Sequence, residues 1–326
     1  MIAWFQQNIK AYSFTLGDVY EAGGISRQGY HQQAKRDKNK ALVDTRLVEL
    51  TKEIRGDHPR MGARKLFEIL KLNGTIGINK YEQMLSDRGM GIGQKRSAHI
   101  TTNSNHGWRK YSNLINGHRL TGVNQVWASD ITYYMIGKSV YYITFMMDVY
   151  SRRVLAYTVS DNMFHENNVE VLNKSIKLRK GVGLSSLIHH SDKGSQYCSN
   201  AYIKVLNKLD IQISMAHTSI ENPYVERLNG IIKNDYLYPR KRAIDLKSLR
   251  KDLDYVVKLY NEERPHAELE KLTPVEFERR LLEKEYKKNA VMELYNFDLK
   301  RKKGFLEAST NRIIEEKNRQ VIYLPA

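Results

Sequence analysis

A single acidic residue in an apolar and aromatic segment constrains the fold of this chain more than any other feature. Residues 126–134, with the sequence VWASDITYY, predict a short strand, and Gly122 and Gly137 lie on either side of it. Asp130 lies in the middle of this strand. Two interpretations remain open: Asp130 faces water on an alternating strand, or it binds a metal ion that replaces its lost hydration.

The net charge of the chain is strongly positive, +17 over 326 residues, with a pI near 9.6. Such an excess favours a polyanionic partner, and nucleic acid is the usual one, whereas a membrane-surface protein would carry a lipidation motif or a basic amphipathic anchor. Residues 1–123 hold 20 Lys and Arg against 10 Asp and Glu; residues 124–240 hold 13 against 10, and residues 241–326 hold 20 against 16. The sequence therefore predicts a basic DNA-binding arm, followed by a catalytic region in which positive and negative charges nearly balance.

The composition also excludes several classes of protein. A hydrophobic content of 41% indicates a folded chain rather than a disordered one. The single cysteine, Cys198, excludes an internal disulfide and a zinc finger, fits a reducing compartment, and is expected to be a small core residue. The sequence contains neither a signal peptide nor an apolar run of the ~20 residues that a membrane span needs. We therefore predict a cytoplasmic, nucleoid-associated protein.

The first helical segment resembles a helix-turn-helix motif. Residues 15–36 predict a helix, a turn at Gly23-Gly24 and a second helix for which Ser26 is the N-cap. The first turns of the second helix carry side chains that reach base edges or phosphates, namely Arg27, Gln28 and His31. An ordinary helical hairpin with a solvated polar face is the alternative.

Further helices and a long basic linker follow. Apolar residues recur at helical spacing over 40–55, over about 62–72 and from Asn79 to Gly89. Residues 91–123 lose this periodicity and scatter basic residues, Lys95 and Arg96 among them, between Gly, Ser, Thr and Asn. This segment is either a linker that becomes ordered on DNA or a disordered tether.

Strand patterns begin at residue 126. Three strands with short connections, over 126–134, 139–150 and 153–159, predict an antiparallel meander. Helices over about 166–179 and 199–208 then alternate with short strands over 187–190 and 211–214, which predicts an α/β fold with a mixed sheet. Helices follow over 222–238, over 245–263 and from Thr273-Pro274, where proline occupies the first helical position.

Three carboxylates are the candidate catalytic and metal-binding residues. Asp130 is in mid-strand, Asp192 follows a short buried strand, and Glu226 lies one turn into a helix, with 33 residues between Asp192 and Glu226. Clustered carboxylates repel one another unless cations lie between them, and such oxygen ligands suit Mg²⁺. Two ions about 4 Å apart stabilise the attacking and leaving oxygens of a phosphoryl displacement. The spacing alone is a weak signal, because the chain has 36 acidic residues.

Five sequence blocks resemble the D-D-E transposases of the retroviral-integrase superfamily, and within these the catalytic, second-frame subunit of the IS-three insertion-sequence family. The blocks are NQVWASDITY at 124–133, DVYSRR at 148–153, HSDKGSQY at 190–197, NPYVERLNG at 222–230, and YN at 260–261 with RPH at 264–266 and LTP at 272–274. The helical arm is similar to the N-terminal region of this family at GISR, 24–27, and RMGAR, 60–64.

This resemblance implies an α/β RNase H-like catalytic core, with a mixed five-stranded sheet and flanking helices, preceded by an all-helical helix-turn-helix-like DNA-binding region. The domains are then 1–90 (DNA-binding), 91–123 (basic linker), 124–240 (catalytic core) and 241–326 (helical region and charged tail). The resemblance also implies that Asp130, Asp192 and Glu226 are the catalytic triad, that they bind Mg²⁺ or Mn²⁺, with two ions per site, and that Asp148 is only a turn residue.

The implied activity is metal-dependent cleavage of insertion-sequence ends and transfer of the freed 3′-hydroxyl to another phosphodiester. The implied partners are double-stranded DNA, further copies of the chain on that DNA, and a DNA-binding product of an upstream frame. Lys193, Arg227 and Lys233 are further candidate DNA contacts. A catalytically inactive repressor or architectural protein derived from a transposase is the alternative.

The spacing from Asp192 to Glu226 departs from the family pattern, being shorter by about two residues. We expect the missing residues in the loop before the helix, so that Glu226 still faces the two aspartates. His190 either supports Asp192 or is structural, and His189, His190 and His217 lack the spacing of a zinc site.

Overall fold

The structure of the chain is a computed structural model, which describes residues 15–93, 107–181, 183–241, 243–283 and 291–296. The chain divides into two compact units: residues 1–57 with 62–91, and residues 58–61 with 92–326. Among the helices in the described ranges, none is long and apolar enough to cross a membrane.

The first unit is helical. Its described helices are α1 (Leu16–Ala22), α2 (Arg27–Asp57), α3 (Ala63–Ile69) and α4 (Ile78–Asp87). Thr15 caps α1 and forms a capping box with Asp18, and the Ser26 hydroxyl accepts a hydrogen bond from the Gly29 amide at 3.0 Å. The predicted helix, turn and second helix over 15–36 are therefore present, with Ser26 as the N-cap of α2.

Helix α2 is much longer than the sequence pattern predicted. It is continuous over 31 residues, whereas the periodicity predicted two helices, one over the second half of 15–36 and another over 40–55. The polar stretch between them lacks proline and is rich in helix-forming residues, so nothing ends the helix there. Leu42, which we expected to be an apolar contact, is 62% exposed; Leu47 and Thr51 are the buried residues of α2.

The second unit contains two sheets. Its strands are β1 (Arg119–Leu120), β2 (Val126–Ile136), β3 (Ser139–Asp148), β4 (Val154–Ser160), β5 (Ile188–Ser191), β6 (Gln212–Met215) and β7 (Met292–Glu293). Five of them form a mixed sheet in the order β4-β3-β2-β5-β6. Strands β2, β3 and β4 are antiparallel, whereas β5 runs parallel to both β2 and β6. The predicted meander and mixed five-stranded sheet are confirmed.

Helices cover both faces of this sheet. They are α5 (His165–Leu178), α6 (Asn200–Lys208), α7 (Pro223–Ile231), α8 (Leu246–Glu262) and α9 (Pro274–Leu281). On one face, Trp127 and Met146 pack in a cluster with residues of α5 and α6. On the other face, Ala128 and Phe145 pack with residues of α7, α8 and α9. Neighbouring residues of a strand point to opposite faces of the sheet, so the sheet lies between two layers of helices, as in an RNase H-like core.

Part of the predicted linker is built into the second unit. The Ser112 carbonyl accepts a hydrogen bond from the Met215 amide at 3.2 Å, and Ile115 and Leu120 are buried. Strand β1 pairs with β7, which lies more than 170 residues further along the chain. Apolar residues without periodicity and a partner so distant in sequence leave no local pattern, so the sequence did not predict these contacts within the segment 91–123.

Candidate active site

Asp130 and Asp192 occupy matching positions on neighbouring parallel strands. The register of β2 and β5 pairs Ala128 with His190, so two residues further along each strand brings Asp130 beside Asp192. Strand β5 ends at Ser191, which makes Asp192 the first residue beyond its carboxyl end. Adjacent strands lie about 4.8 Å apart, so the main chain alone brings these two carboxylates to the same edge of the sheet.

A tight turn holds the Asp192 side chain. Its Oδ1 accepts a hydrogen bond from the Gly194 amide at 2.9 Å. A Cβ atom at position 194 would lie 3.0 Å from that same oxygen, so a larger residue would crowd the carboxylate. The hydroxyl of Tyr197, in the loop that follows, bonds to Ser129 Oγ at 2.9 Å and ties this loop to β2.

Glu226 lies on the face of α7 that packs against strand β2. Asn222 Nδ2 donates to the Ser129 carbonyl at 3.1 Å, and Asn229 Nδ2 donates to Asp130 Oδ2 at 2.7 Å. Glu226 is one turn from each asparagine and therefore shares their face. The opposite stripe of the helix, which includes Val225 and Leu228, is buried in the core. Burial of this stripe sets the rotation of the helix.

The charges of the three carboxylates act on one another. The pKa of Asp130 is well above its usual range because the protein surrounds this half-buried side chain, and the charges of Asp192 and then Glu226 add to the effect. The Glu226 side chain is solvent-accessible, yet partial desolvation and the Asp192 charge raise its pKa to about 7. All three groups thus form a single electrostatic cluster.

The side chains do not form a ready metal cage. Within the described part of the chain, no three His, Cys, Asp or Glu side chains are grouped closely enough to hold a metal ion. Our expectation that the carboxylates lie within reach of one metal is therefore not met by this arrangement, in which Asp130 bonds to Asn229 and Asp192 to Gly194. Repulsion between unneutralised carboxylates favours such separate partners. Three carboxylates at one sheet edge are nevertheless a donor set that suits hard divalent cations.

Lys233 lies two turns beyond Glu226, in the π-helical segment Ile232–Leu237 that directly continues α7. Its Nζ is 5.1 Å from the centre of the Tyr133 ring, a cation–π contact. Burial lowers the pKa of Lys233, and the charge of Asp130 opposes this effect. Departures from α-helical geometry of this kind are frequent at functional sites.

The other predicted DNA contacts have different positions. Lys193 Nζ lies 2.6 Å from His217 Nδ1, next to the Asp192 turn, and Arg227 is exposed on α7. In the first unit, the first turns of α2 expose three predicted contacts, Arg27, Gln28 and His31. Lys95 and Arg96 lie outside the described residues.

His190, two residues before Asp192, contacts β6 and the residue before the N-cap of α7. The Glu221 carbonyl accepts a hydrogen bond from His190 Nε2 at 3.0 Å, and His190 Nδ1 lies 2.8 Å from Ser214 Oγ. Burial lowers the pKa of His190 to about 4, so this residue is neutral at physiological pH. Asp148 is buried at the end of β3 and accepts hydrogen bonds from the amides of Asn124 and Ser151, as a turn residue should.

Sequence reasoning missed Asn229 as a member of the site. Its side chain is 6% exposed, one of its amide atoms holds Asp130, and its Oδ1 is buried without a hydrogen-bond partner. The available signal was its position, three residues after Glu226 on the same helix face. That signal does not reveal the partner, which lies 99 residues earlier on β2.

Comparison with known proteins shows what the chain is similar to. Two models, each described as an integrase core domain, match residues 121–219 and residues 207–274. The chain is 28% identical over 262 residues to the insertion element IS600 uncharacterized 31 kDa protein of Shigella sonnei, which covers 78% of this chain and 95% of that protein. It is 26% identical over 228 residues to the transposase InsF for insertion sequence IS3A of Escherichia coli, covering 68% of this chain and 78% of InsF.

Similar solved structures include the catalytic core domain of HTLV-2 integrase in complex with magnesium. That structure is 19% identical, with a TM-score of 0.38, and the match covers 51% of this chain and 99% of the integrase chain. The integrase-core matches coincide with the sheet and helices that carry Asp130, Asp192 and Glu226, and several relatives are transposases of insertion sequences. The chain therefore carries an integrase core domain over residues 121–274, and its relatives support its assignment as a transposase of an insertion sequence.

Proposed function

We propose that this transposase cleaves the ends of an insertion sequence and joins them to target DNA, with Asp130, Asp192 and Glu226 as its catalytic carboxylates. The observation that carries this proposal is the approach of three acidic residues, distant in sequence, to one sheet edge. Asp130 and Asp192 share a strand register, and Asn222 and Asn229 fix the helix face of Glu226. The mutual effects of the three charges on their pKa values support the same grouping.

The three carboxylates would hold Mg²⁺ or Mn²⁺, with two ions per site, in the proposed enzyme. When bound, such cations supply Lewis-acid stabilisation of the charge that develops on the phosphate. The chain contributes the positioning: Asn229 orients Asp130, Gly194 orients Asp192, and the buried stripe of α7 fixes the rotation of Glu226.

The proposed reaction has two displacements at phosphorus. In cleavage, water forms a new bond to phosphorus, the bond to the 3′-oxygen breaks, and this oxygen takes up a proton as it leaves. In transfer, the freed 3′-hydroxyl loses its proton and its oxygen forms a bond to the phosphorus of a target phosphodiester; the bond from that phosphorus to its own 3′-oxygen breaks, and the displaced oxygen takes up a proton. Neither step needs a covalent bond to the protein, so a serine, cysteine or tyrosine nucleophile has no part in it.

Several cations near the carboxylates are suited to hold the DNA backbone. Lys193 adjoins Asp192, Arg227 is exposed next to Glu226, and Lys233 lies further along the same helix. In the proposed complex, Arg27, Gln28 and His31 of α2 contact double-stranded DNA at a second place. We also propose that copies of the chain assemble on the element ends, and that an upstream-frame product joins them.

Substitution of each carboxylate by its neutral isostere tests this function. We expect Asp130→Asn, Asp192→Asn and Glu226→Gln each to abolish cleavage and strand transfer of element ends, because each removes a charged ligand. DNA binding should persist, as measured by electrophoretic mobility shift.

The matched control is Glu170→Gln, which changes an exposed carboxylate of α5 that pairs with Lys174 at 2.7 Å instead of with the cluster. We expect this variant to retain activity. Near-normal turnover by any one of the three cluster variants would exclude that residue from the catalytic set.

A further inference from the structure

A basic aromatic segment lies beside the candidate active site. Residues 108–111 have the sequence Trp-Arg-Lys-Tyr. Trp108 is 47% exposed, Arg109 and Lys110 are exposed, and the Arg109 guanidinium lies 5.0 Å from the centre of the Tyr111 ring. Large exposed aromatic side chains next to cations are the usual elements of single-stranded nucleic-acid sites.

The segment is fixed to the edge of the sheet. The Ser112 carbonyl accepts from the Met215 amide at 3.2 Å, and the Leu114 amide donates to Ser214 Oγ at 2.9 Å. Asn113 Nδ2 donates to Glu221 Oε2 at 2.7 Å. The main chain that presents Trp108 is therefore anchored to β6 and to the loop that precedes α7.

These contacts also fix the direction of the segment. As the chain advances from Ser112 to Leu114, its partner on β6 moves back from Met215 to Ser214. The segment thus runs antiparallel to β6, and residues 108–111 extend towards the carboxyl ends of β6 and β5. Asp192 leaves the sheet at that same end.

Lateral distance can be estimated from the strand spacing. Strand β6 lies between β5 and the segment, so two spacings of about 4.8 Å put the anchored main chain about 10 Å to the side of β5. Because the nucleotides of one DNA strand rise about 3.4 Å per step, this offset corresponds to about three nucleotides.

The charge of Lys110 supports this location. Burial raises the pKa of the Cys198 thiol, and the charges of Asp192 and Lys110 act on the same thiol in opposite directions. The Cys198 side chain is thus close enough to both Asp192 and Lys110 for their charges to affect its pKa. In addition, no aspartate or glutamate occurs between Asp87 and Asp130, so the segment lies in a long acid-free part of the sequence.

We propose that Trp108, Arg109 and Lys110 bind an unpaired stretch of DNA a few nucleotides from the scissile phosphate, an inference that rests on the proposed function. Trp108 stacks on a base, Arg109 and Lys110 contact phosphates, and the Tyr111 ring packs against the Arg109 guanidinium. The occupant is unpaired because a base within a duplex is already stacked on both faces and offers its edges instead.

Two oligonucleotides separate stacking from charge. One is a short oligothymidylate, and the other is an abasic oligonucleotide of the same length, which keeps the phosphates but lacks the bases. Binding is measured with the full chain carrying Asp130→Asn, so the result does not depend on whether the protein cleaves DNA. We expect Trp108→Ala to weaken binding of oligothymidylate roughly fivefold or more, and to leave binding of the abasic chain unchanged.

Three further variants complete the test. Trp108→Tyr should restore most of the preference for oligothymidylate, because it keeps a flat ring. Arg109→Gln should weaken both oligonucleotides alike. Phe164→Ala removes another exposed aromatic residue, 66% exposed and outside the segment, and should change neither.

Fluorescence gives a direct readout of the contact. The chain has three tryptophans, so the difference between the emission of the parent chain and that of its Trp108→Phe variant isolates the signal of Trp108. We expect oligothymidylate, and not the abasic chain, to quench this difference signal. Two results would overturn the proposal: an equal loss of binding to both oligonucleotides in Trp108→Ala, or no quenching of Trp108 by oligothymidylate. Either result would do so even if the variants of Asp130, Asp192 and Glu226 behave as expected.

Discussion

At the residue scale, two buried asparagines, Asn222 at the N-cap of α7 and Asn229 within it, have different partners on the sheet. Both donate to β2, but Asn222 binds a main-chain carbonyl whereas Asn229 binds the carboxylate of Asp130. The sequence predicted the three acidic residues because their blocks resemble a known family. It did not predict Asn229 as a partner of Asp130, because a buried hydrogen bond across 99 residues leaves no trace in local spacing.

This difference leads to a prediction for Asn229→Ala. The variant loses the donor that orients Asp130, and removal of such supporting partners typically lowers metal affinity or activity about 10- to 100-fold. We expect a higher metal concentration for half-maximal cleavage.

The control for this variant is Asn168→Ala, which removes a similarly buried amide from α5, away from the three carboxylates. It should lower the free energy of unfolding and leave the metal requirement nearly unchanged. An equal shift of the metal requirement in both variants would mean that Asn229 acts only through the fold.

At the element scale, helix α9 is joined to the sheet by a partly buried ionic cluster. Arg153 Nη1 donates to Glu278 Oε2 at 2.6 Å, Arg179 donates to both carboxylate oxygens, and Ser151 Oγ donates to Oε1 at 2.6 Å. Although burial raises the pKa of Glu278, the Arg179 contacts and the bonds from Ser151 and Arg153 outweigh it, so this pKa is lowered. The cluster connects the start of β4, the end of α5 and α9.

We predict that Glu278→Ala strongly destabilises the chain. Loss of one partner leaves buried guanidinium groups uncompensated, which typically costs about 3–5 kcal/mol in the free energy of unfolding. Urea denaturation should show the loss. Glu170→Ala removes half of an exposed pair with Lys174 on α5 and should cost no more than about 1 kcal/mol. Comparable losses in the two variants would show that the buried cluster contributes little.

The secondary structure of the core was predictable because its elements have strong local patterns. Helix α9 begins at Pro274 after the Thr273 cap, and β2 to β4 form an antiparallel meander, as the sequence indicated. The length of α2 and the pairing of β1 with β7 were not predictable. In the first case a polar stretch continues a helix without an apolar stripe, and in the second the partner is remote in sequence.

At the scale of the whole molecule, the excess of positive charge is concentrated in the first 123 residues, which hold 20 basic and 10 acidic side chains. We predict that DNA affinity of the full chain falls steeply with salt, with a log–log slope of about −0.9 for each phosphate contact. Arg27→Ala should reduce the magnitude of this slope by about 1, because it removes one contact.

Arg46→Ala is the control for this prediction. Arg46 is exposed on the same helix and is paired with Glu49 at 3.2 Å. Its loss should leave the slope unchanged. If the slopes of the two variants are equal, Arg27 does not contact DNA phosphates.

The order of the active-site elements along the chain has a consequence for biosynthesis. A ribosome completes β2 and β5, with both aspartates, well before it makes α7, and the cluster around Glu278 comes later still. Chains fold progressively from their N-terminal end during synthesis, at roughly 5–20 residues per second. A nascent or prematurely terminated chain that lacks α7 has only two of the three proposed catalytic carboxylates, so we expect it to be unable to cleave DNA.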